Sequence, residues 1–453
     1  MRTRLAGIAV ACLIAQFSST SSAAGQDSPE NAPASRSTGL PGIIDWTFNF
    51  DAGWGTFGFA NSLFDNPREP GIREDLSDQW FEGYVEPALS GAYTLKGTSQ
   101  WYGTVSVVGE RTYGSMPLLF GRDVSSFGPE DLFIGWRSGM AFGSTENALD
   151  FRVGRSQYQL GHGLLLYDGA AEGGSRGGYW SNARKAFEFA AIARLRAAGN
   201  LVEGFYLDKD DLPDRETGSR LSGVNYEFSR GDENTFGFTY TQWRADPAVE
   251  PGRDGLHMFN TRAYTAPISA VPDLSFEFEY AWERNGEALH SDAWTLQTAY
   301  QLSHIRWTPT ISYRYAFFRG DDIDTPRNEA FDPLLLGFYD WGSWFQGEIA
   351  GEYFLSNSNL KSKMFRAQVD PNDSLGLGVL LYKFTLDEPR AAGVNVTASD
   401  IAVEADVYAD WKLNGNVTLN LVGAFANPGD AVQQKTGRTK NFSYGMAYIT
   451  YSF

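Results

Sequence analysis

Apolar and polar side chains alternate with a period of two along most of this chain, and no helical heptad pattern interrupts them. Trp46, Phe48, Phe50 and Trp54 alternate with Asp45, Thr47, Asn49 and Asp51. Leu274, Phe276, Phe278, Tyr280 and Trp282 alternate with Ser275, Glu277, Glu279 and Glu283. The same rhythm recurs over Ile401–Trp411 and Val417–Phe425. A strand that is apolar on one face and carboxylate-bearing on the other must separate lipid, or a core, from water. Some segments exceed the usual soluble strand and approach the ~9–11 residues that a tilted bilayer-spanning strand needs. The chain ends FSYGMAYITYSF, with Ala447, Ile449, Tyr451 and Phe453 on one face. A last strand closing on the first predicts an all-β fold, a transmembrane antiparallel β-barrel spanning residues 43–453.

Connections alternate in length. Short links at 197–200, 229–234, 303–306 and 412–416 read as periplasmic turns. Long polar links at 61–80, 112–129, 156–183, 209–220, 244–255 and 428–440 read as extracellular loops. The two sets interleave, so both termini are expected in the periplasm. Counting every alternating segment gives an odd total, which an even-stranded barrel forbids. Assigning 343–354 to a long extracellular excursion gives 18 strands, whereas a further strand near Leu334–Trp341 would give 20. The prediction adopted is 18.

Composition adds a compartment. Arg2 and Arg4 precede the apolar run Leu5–Ala15, and small residues follow, with cleavage expected near Ala23 or Ala24. Residues 1–24 therefore read as a signal peptide and 25–42, polar and proline-rich, as a periplasmic leader. The single cysteine, Cys12, lies in that apolar run, as a lipid anchor or as a side chain discarded on cleavage. The remainder offers neither disulfides nor thiolate metal sites. The chain carries 37 basic and 55 acidic residues, a formal net charge of −18, and loss of Arg2 and Arg4 makes it more acidic. Such a surface repels phosphate, so nucleic acid is excluded as a partner. Aromatic content of 15% excludes a disordered chain and suits the girdles of an outer-membrane barrel.

The stretch 151–207 contains Gly154-Arg155, Gly161, Gly163 and Asn182-Ala183-Arg184, a strand ending in Gly-Arg, a glycine-rich loop and an arginine-bearing return. It resembles the alginate-export family of outer-membrane porins, as do 319–333, 358–371 and 403–430. The resemblance implies an 18-stranded barrel passing an anionic uronate polysaccharide outward. The C-terminal strand ending in Phe453 likewise resembles the end recognised by barrel-assembly machinery, and outer-membrane lipid is the other expected partner.

Strand parity places charges in the lumen. With Leu149, Phe151 and Val153 facing lipid, Asp150 and Arg152 point inward. Phe187, Phe189 and Leu195 outward would leave Glu188, Arg194 and Arg196 inside. Arg137 follows Leu132, Ile134 and Trp136; Arg155 and Arg184 are expected near the rim; Arg314 and Arg366 point inward on later strands. These eight arginines are the candidate pore-lining, substrate-binding residues, because guanidinium groups can bind carboxylates bidentately. The competing account has them pair with inward Glu188, Glu277, Glu279, Glu404 and Asp406 and brace the wall. The expected solute is an anionic saccharide or related compound, the alternative a general diffusion porin taking up small hydrophilic solutes.

Other chemistry is thin. His162, His257, His290 and His304 form no recognisable Ser-His arrangement, so no enzyme is expected. Neither a cofactor nor a metal is expected. The stretch 173–178 lacks the Lys-Ser/Thr ending of a phosphate loop, and the aspartates of 208–214 and 321–324 read as solvated loop acids. Loop 156–183 and the excursion 319–359 combine aromatic and charged residues and are the candidates for a constriction.

Overall fold

A computed structural model describes residue 42 and residues 44–453, apart from 63–76, 96–97, 115–122, 144, 171, 231–233, 266–270, 338–345, 352–354 and 394. The expected signal peptide and nearly all of the leader therefore lie outside the described residues. Eighteen strands form one sheet. They are β1 (Ile44–Ala60), β2 (Asp78–Thr94), β3 (Gln100–Gly114), β4 (Ser125–Arg137), β5 (Leu149–Ser156) and β6 (Phe187–Ala197). Next come β7 (Asn200–Asp208), β8 (Arg220–Ser229), β9 (Asn234–Arg244), β10 (His257–Thr265), β11 (Leu274–Asn285) and β12 (Leu289–Gln301). The last six are β13 (Thr310–Phe318), β14 (Leu360–Asn372), β15 (Leu375–Leu386), β16 (Asp400–Lys412), β17 (Val417–Pro428) and β18 (Phe442–Ser452).

Each strand pairs antiparallel with its sequence neighbours, and β1 pairs with β18 from Asp51↔Ser452 to Ala60↔Ser443, closing the barrel. The expected count of 18 holds. The parity problem resolves as anticipated: between β13 and β14 the described part of 343–354 contains a π-helical turn, Gly347–Gly351, rather than a strand. Closure leaves no unpaired edge where β1 and β18 meet, which is what a sheet in hydrocarbon requires.

The alternation sorts as the pattern predicts. Val105, Leu132, Ile134, Val224, Phe238, Val403 and Phe425 stand on the outer face, half-exposed with no protein against them. Trp46, Trp101 and Trp411 gather toward the end carrying the short turns, and Tyr113, Tyr240 and Trp282 toward the end carrying the long connections. This is the aromatic girdle of a membrane barrel.

One parity assignment fails. Phe187 is fully buried inside, while Phe189 is 42% exposed on the outer face and Glu188 between them is exposed rather than luminal. A register shift between β5 and β6 is the cause: Gly154 pairs with Ala190 but Ser156 with Phe187, so Glu188 and Phe189 of β6 stand opposite Arg155 alone. One added residue reverses the faces beyond a bulge. Gly154 faces the start of the shift from β5 and is itself confined: its φ is +125°, and a Cβ there would meet the Leu132 carbonyl oxygen at 2.3 Å. Gly154→Val is therefore expected to cost about 1–3 kcal/mol, measured as a lower midpoint in urea unfolding of the refolded barrel.

Candidate functional site: a lumen narrowed by two infolded loops

The connections β5–β6 and β13–β14 turn inward at the loop end. Inward wall residues there, such as Trp80, Glu82, Glu110, Glu130, Phe318 and Glu404, are almost wholly buried, as they would not be beside an empty pore. The loops meet inside: Tyr167 N–H donates to the Leu335 carbonyl at 2.9 Å, Leu335 N–H to Leu165 at 3.0 Å and Gly337 N–H to Gly163 at 3.0 Å. Leu160, Leu164, Leu165, Phe331 and Leu335 pack into an apolar core within the barrel. Both expected constriction segments are thus brought together, apart from 171, 338–345 and 352–354, which lie outside the described residues.

Backbone folded into a barrel needs partners for its N–H groups. Wall carboxylates supply them. Glu82 accepts from Trp180 N–H at 2.9 Å and Ser181 N–H at 2.5 Å. Glu110 accepts from Ala183 N–H at 2.6 Å, and Glu130 from Lys185 and Ala186 N–H at 2.8 and 2.7 Å. Across the lumen Glu404 accepts from Ile349 and Ala350 N–H at 2.7 and 2.8 Å, Asp406 from Glu348 N–H at 3.3 Å and Glu283 from Asp332 N–H at 2.9 Å. Glu404 and Asp406 hold a loop rather than bracing arginines. Asp332 also takes two bonds from Arg253, each 2.7 Å, which tie the second loop to the β9–β10 connection. Burial by itself would lower the Arg253 pKa, but these bonds to Asp332 hold it above its ordinary value.

The eight expected pore-lining arginines divide into two groups. Arg155 and Arg184 converge on Asp210, at 2.5 and 3.1 Å, with Arg176 joining them at 3.3 Å. They are buried under the first loop, so they brace it and do not face the rim water. Burial pulls the Arg184 pKa below its ordinary value; Asp210 opposes that shift, whereas Arg176 and Arg155 add to it. Arg152 is 5% exposed, lies 5.1 Å over the Phe133 ring and donates to the Gln157 carbonyl. Arg314 is 2% exposed. These four are enclosed by protein because the loops descend past them.

The other four lie toward the turn end of the wall, with the Arg194 side chain only 13% exposed, since Tyr158 of the first loop also donates to its partner Glu203. Arg137 donates to Gln100 at 2.7 Å and lies over the Tyr102 ring, both neutral groups; among the described residues it joins no ion pair. Arg366 donates to the Tyr408 hydroxyl at 2.9 Å and to Gln368 at 2.6 Å. Arg194 pairs with Glu203 at 2.5 Å, and Arg196 stands 4.0 Å from Asp150. Strand register sets Gln100, Arg137, Asp150, Arg194 and Glu203 in one row across β3–β7, with alternating charges.

Two luminal features escaped the sequence reading. Arg262, fully buried, donates to Thr239, Asn260, Asn225 and Glu227. Its parity with Met258 and Asn260 was a usable signal. The space it fills was not, because that space comes from Gly237 opposite, where a Cβ would meet the guanidinium at 2.5 Å. Next to it His162 stacks on Tyr264 at 3.8 Å and faces Glu277 at 3.3 Å, while Tyr264 donates to Glu279. Glu277 and Glu279 thus serve a loop histidine and a tyrosine.

The alginate-export profile matches residues 122–446. The chain belongs to the alginate-export family. No curated protein matches it. Its fold is that of solved outer-membrane porins: OccK7 (OpdD) of Pseudomonas aeruginosa is 10% identical, with 91% of this chain and 99% of that one covered, at a TM-score of 0.54. OccAB4 of Acinetobacter baumannii is 11% identical over 90% and 98%, at 0.55. OpdK of P. aeruginosa, solved with vanillate, is 13% identical over 90% and 98%, at 0.52. This alginate-export family member is an outer-membrane channel for small solutes, with a family and fold of transport porins.

The double variant Glu82→Ala, Glu110→Ala orphans three loop N–H groups at about 1–3 kcal/mol each. It is expected to release the first loop, raising single-channel conductance and exposing Lys185 to trypsin. Unchanged conductance and unchanged digestion would mean that the loop stands without these carboxylates.

Proposed function

We propose that this channel passes an anionic saccharide or a related carboxylate, with the turn-end arginines as its stations. The observation that carries this reading is Arg137, a guanidinium at the water-facing wall held by neutral Gln100 and Tyr102. Neither group offsets its charge, and its register partner Asp150 accepts from Tyr102 and stands beside Arg196. Arg194 and Arg196 stand two strands away, and Arg366 lines another part of the wall. Guanidinium groups spaced along a low-dielectric wall bind a carboxylate weakly and repeatedly, so it moves on rather than staying. The vanillate recorded with OpdK is itself a carboxylate. The alternative, general uptake of small hydrophilic solutes, is favoured by the half-exposed Asp45, Asp51 and Asp150, whose charges oppose an anionic preference.

The long connections are read as extracellular, so that both termini lie in the periplasm. Residues 1–24 are read as the export signal and 25–42 as a periplasmic leader. Phe453, 66% exposed, exchanges two 3.0 Å backbone bonds with Phe50 and is read as the end that assembly machinery grips. Nothing in the reading requires a catalytic group.

The reversal potential of single channels under a salt gradient tests the solute class. Anion selectivity, block by uronate oligomers and loss of both in Arg137→Ala, Arg366→Ala would support the reading. Cation selectivity without block would leave general diffusion. Lys435→Cys at the loop end should label from outside intact cells, and Asn414→Cys at the turn end should not; the reverse pattern would invert the orientation.

A further inference from the structure

Near the loop end, the lipid-facing wall of β13–β15 carries lysines where a membrane strand ordinarily carries apolar side chains. Strand register places Tyr315, Lys363, Lys383 and Val403 in one row. Lys363 and Lys383 point outward, since their chain neighbours Ser362, Met364, Tyr382 and Phe384 are buried inside. Both lysines are exposed. Like charges directly opposite across a strand pair repel and destabilise it. Lys383 meets Asp400 at 3.1 Å, with both side chains 53% exposed, whereas among the described residues Lys363 joins no ion pair.

The surroundings suit an amphipathic anion. Phe365 and Leu381 form the next outward row toward the turn end, 42% and 46% exposed on the face that meets lipid. Lys363 lies three residues inside the start of β14 at Leu360, and Lys383 three residues before the end of β15 at Leu386. At ~3.3 Å per residue along a tilted strand, the ammonium groups reach the depth where headgroups begin. A cation pair above an apolar face matches a phosphate above acyl chains.

We propose that Lys363 and Lys383 seat a phosphate of the phosphorylated glycolipid of the outer leaflet, lipid A, with its acyl chains against Phe365 and Leu381. The assignment to that leaflet rests on the reading that the loop end faces outward. The anion between the lysines relieves their repulsion, so the wall is completed by lipid. The site lies outside the barrel and is separate from the solute path.

Native mass spectrometry of the full folded barrel in detergent, with lipid A added, tests it. Lys363→Gln, Lys383→Gln should lower the lipid-bound fraction roughly tenfold, while Lys412→Gln at the turn end should not. Dephosphorylated lipid A should bind the parent as weakly as lipid A binds the double variant. Unchanged single-channel conductance would show that the variant is folded. Equal retention by parent and double variant, or equal binding of the dephosphorylated lipid, would overturn the proposal. Displacement by millimolar inorganic phosphate alone would assign the seat to free phosphate and also overturn it. Detergent removes leaflet asymmetry, so this result stands apart from the Lys435→Cys labelling. Labelling from the periplasmic side would overturn the outer-leaflet assignment independently.

Discussion

Two loops enter this barrel, and each brings backbone N–H groups into a space where hydrogen-bonding partners are scarce. Inward carboxylates of the wall accept those N–H groups, and much else in the lumen follows from that. Glu82, Glu110 and Glu130 lie on β2, β3 and β4 and grip the return of the first loop, residues 180–186. Glu283, Glu404 and Asp406 grip the second from the other side. A carboxylate accepts several bonds at once, and charge strengthens each, so few side chains can hold a long segment. Six of the chain's acidic side chains thus face inward and hold its own backbone.

With the carboxylates committed to loops, the arginines divide by depth. Beneath the first loop, three of them surround Asp210, whose backbone N–H in turn bonds the Gly169 carbonyl within that loop. Lower down, Arg137, Arg196 and Arg366 are half-buried along the wall, while Arg194 pairs with Glu203, which also accepts from Tyr158 of the first loop. One residue type therefore performs two tasks, and the boundary between them is the depth to which the loops descend. The local field of the open half can differ in sign from the net charge of −18, because what a solute meets is set by nearby groups in a low-dielectric wall.

Space for the large inward side chains comes from glycines across the strands. A Cβ at Gly237 would collide with Arg262, at Gly378 with Tyr408 and at Gly135 with Tyr102. Rings and guanidiniums thereby lie along the wall instead of projecting across the lumen, which preserves bore in the half that carries the solute. Gly161 does the same for a loop: its φ is +53°, a Cβ there would meet Arg262 at 2.9 Å, and His162 beside it stacks on Tyr264.

The sequence by itself determined the barrel, its 18 strands, which connections are long and which side chains face lipid. Period-two alternation is local, and a membrane imposes it on every strand separately. Parity read along β4 and β5 was sound, so Asp150, Arg152 and Arg137 were correctly turned inward. It failed at Phe187 because β6 itself carries an extra residue, Glu188 and Phe189 standing opposite Arg155 alone, and alternation by itself does not show where a strand bulges. Depth was not legible either. Whether an inward arginine meets water, a loop or Asp210 depends on how far connections about 30 and 40 residues long fold back, and on which distant carboxylates receive them. Those are contacts between residues some 50 to 100 positions apart, such as Glu82 with Ser181 and Glu404 with Ile349. Only the closed tertiary structure brings them together, because closure alone sets opposite walls at bonding distance from the same loops.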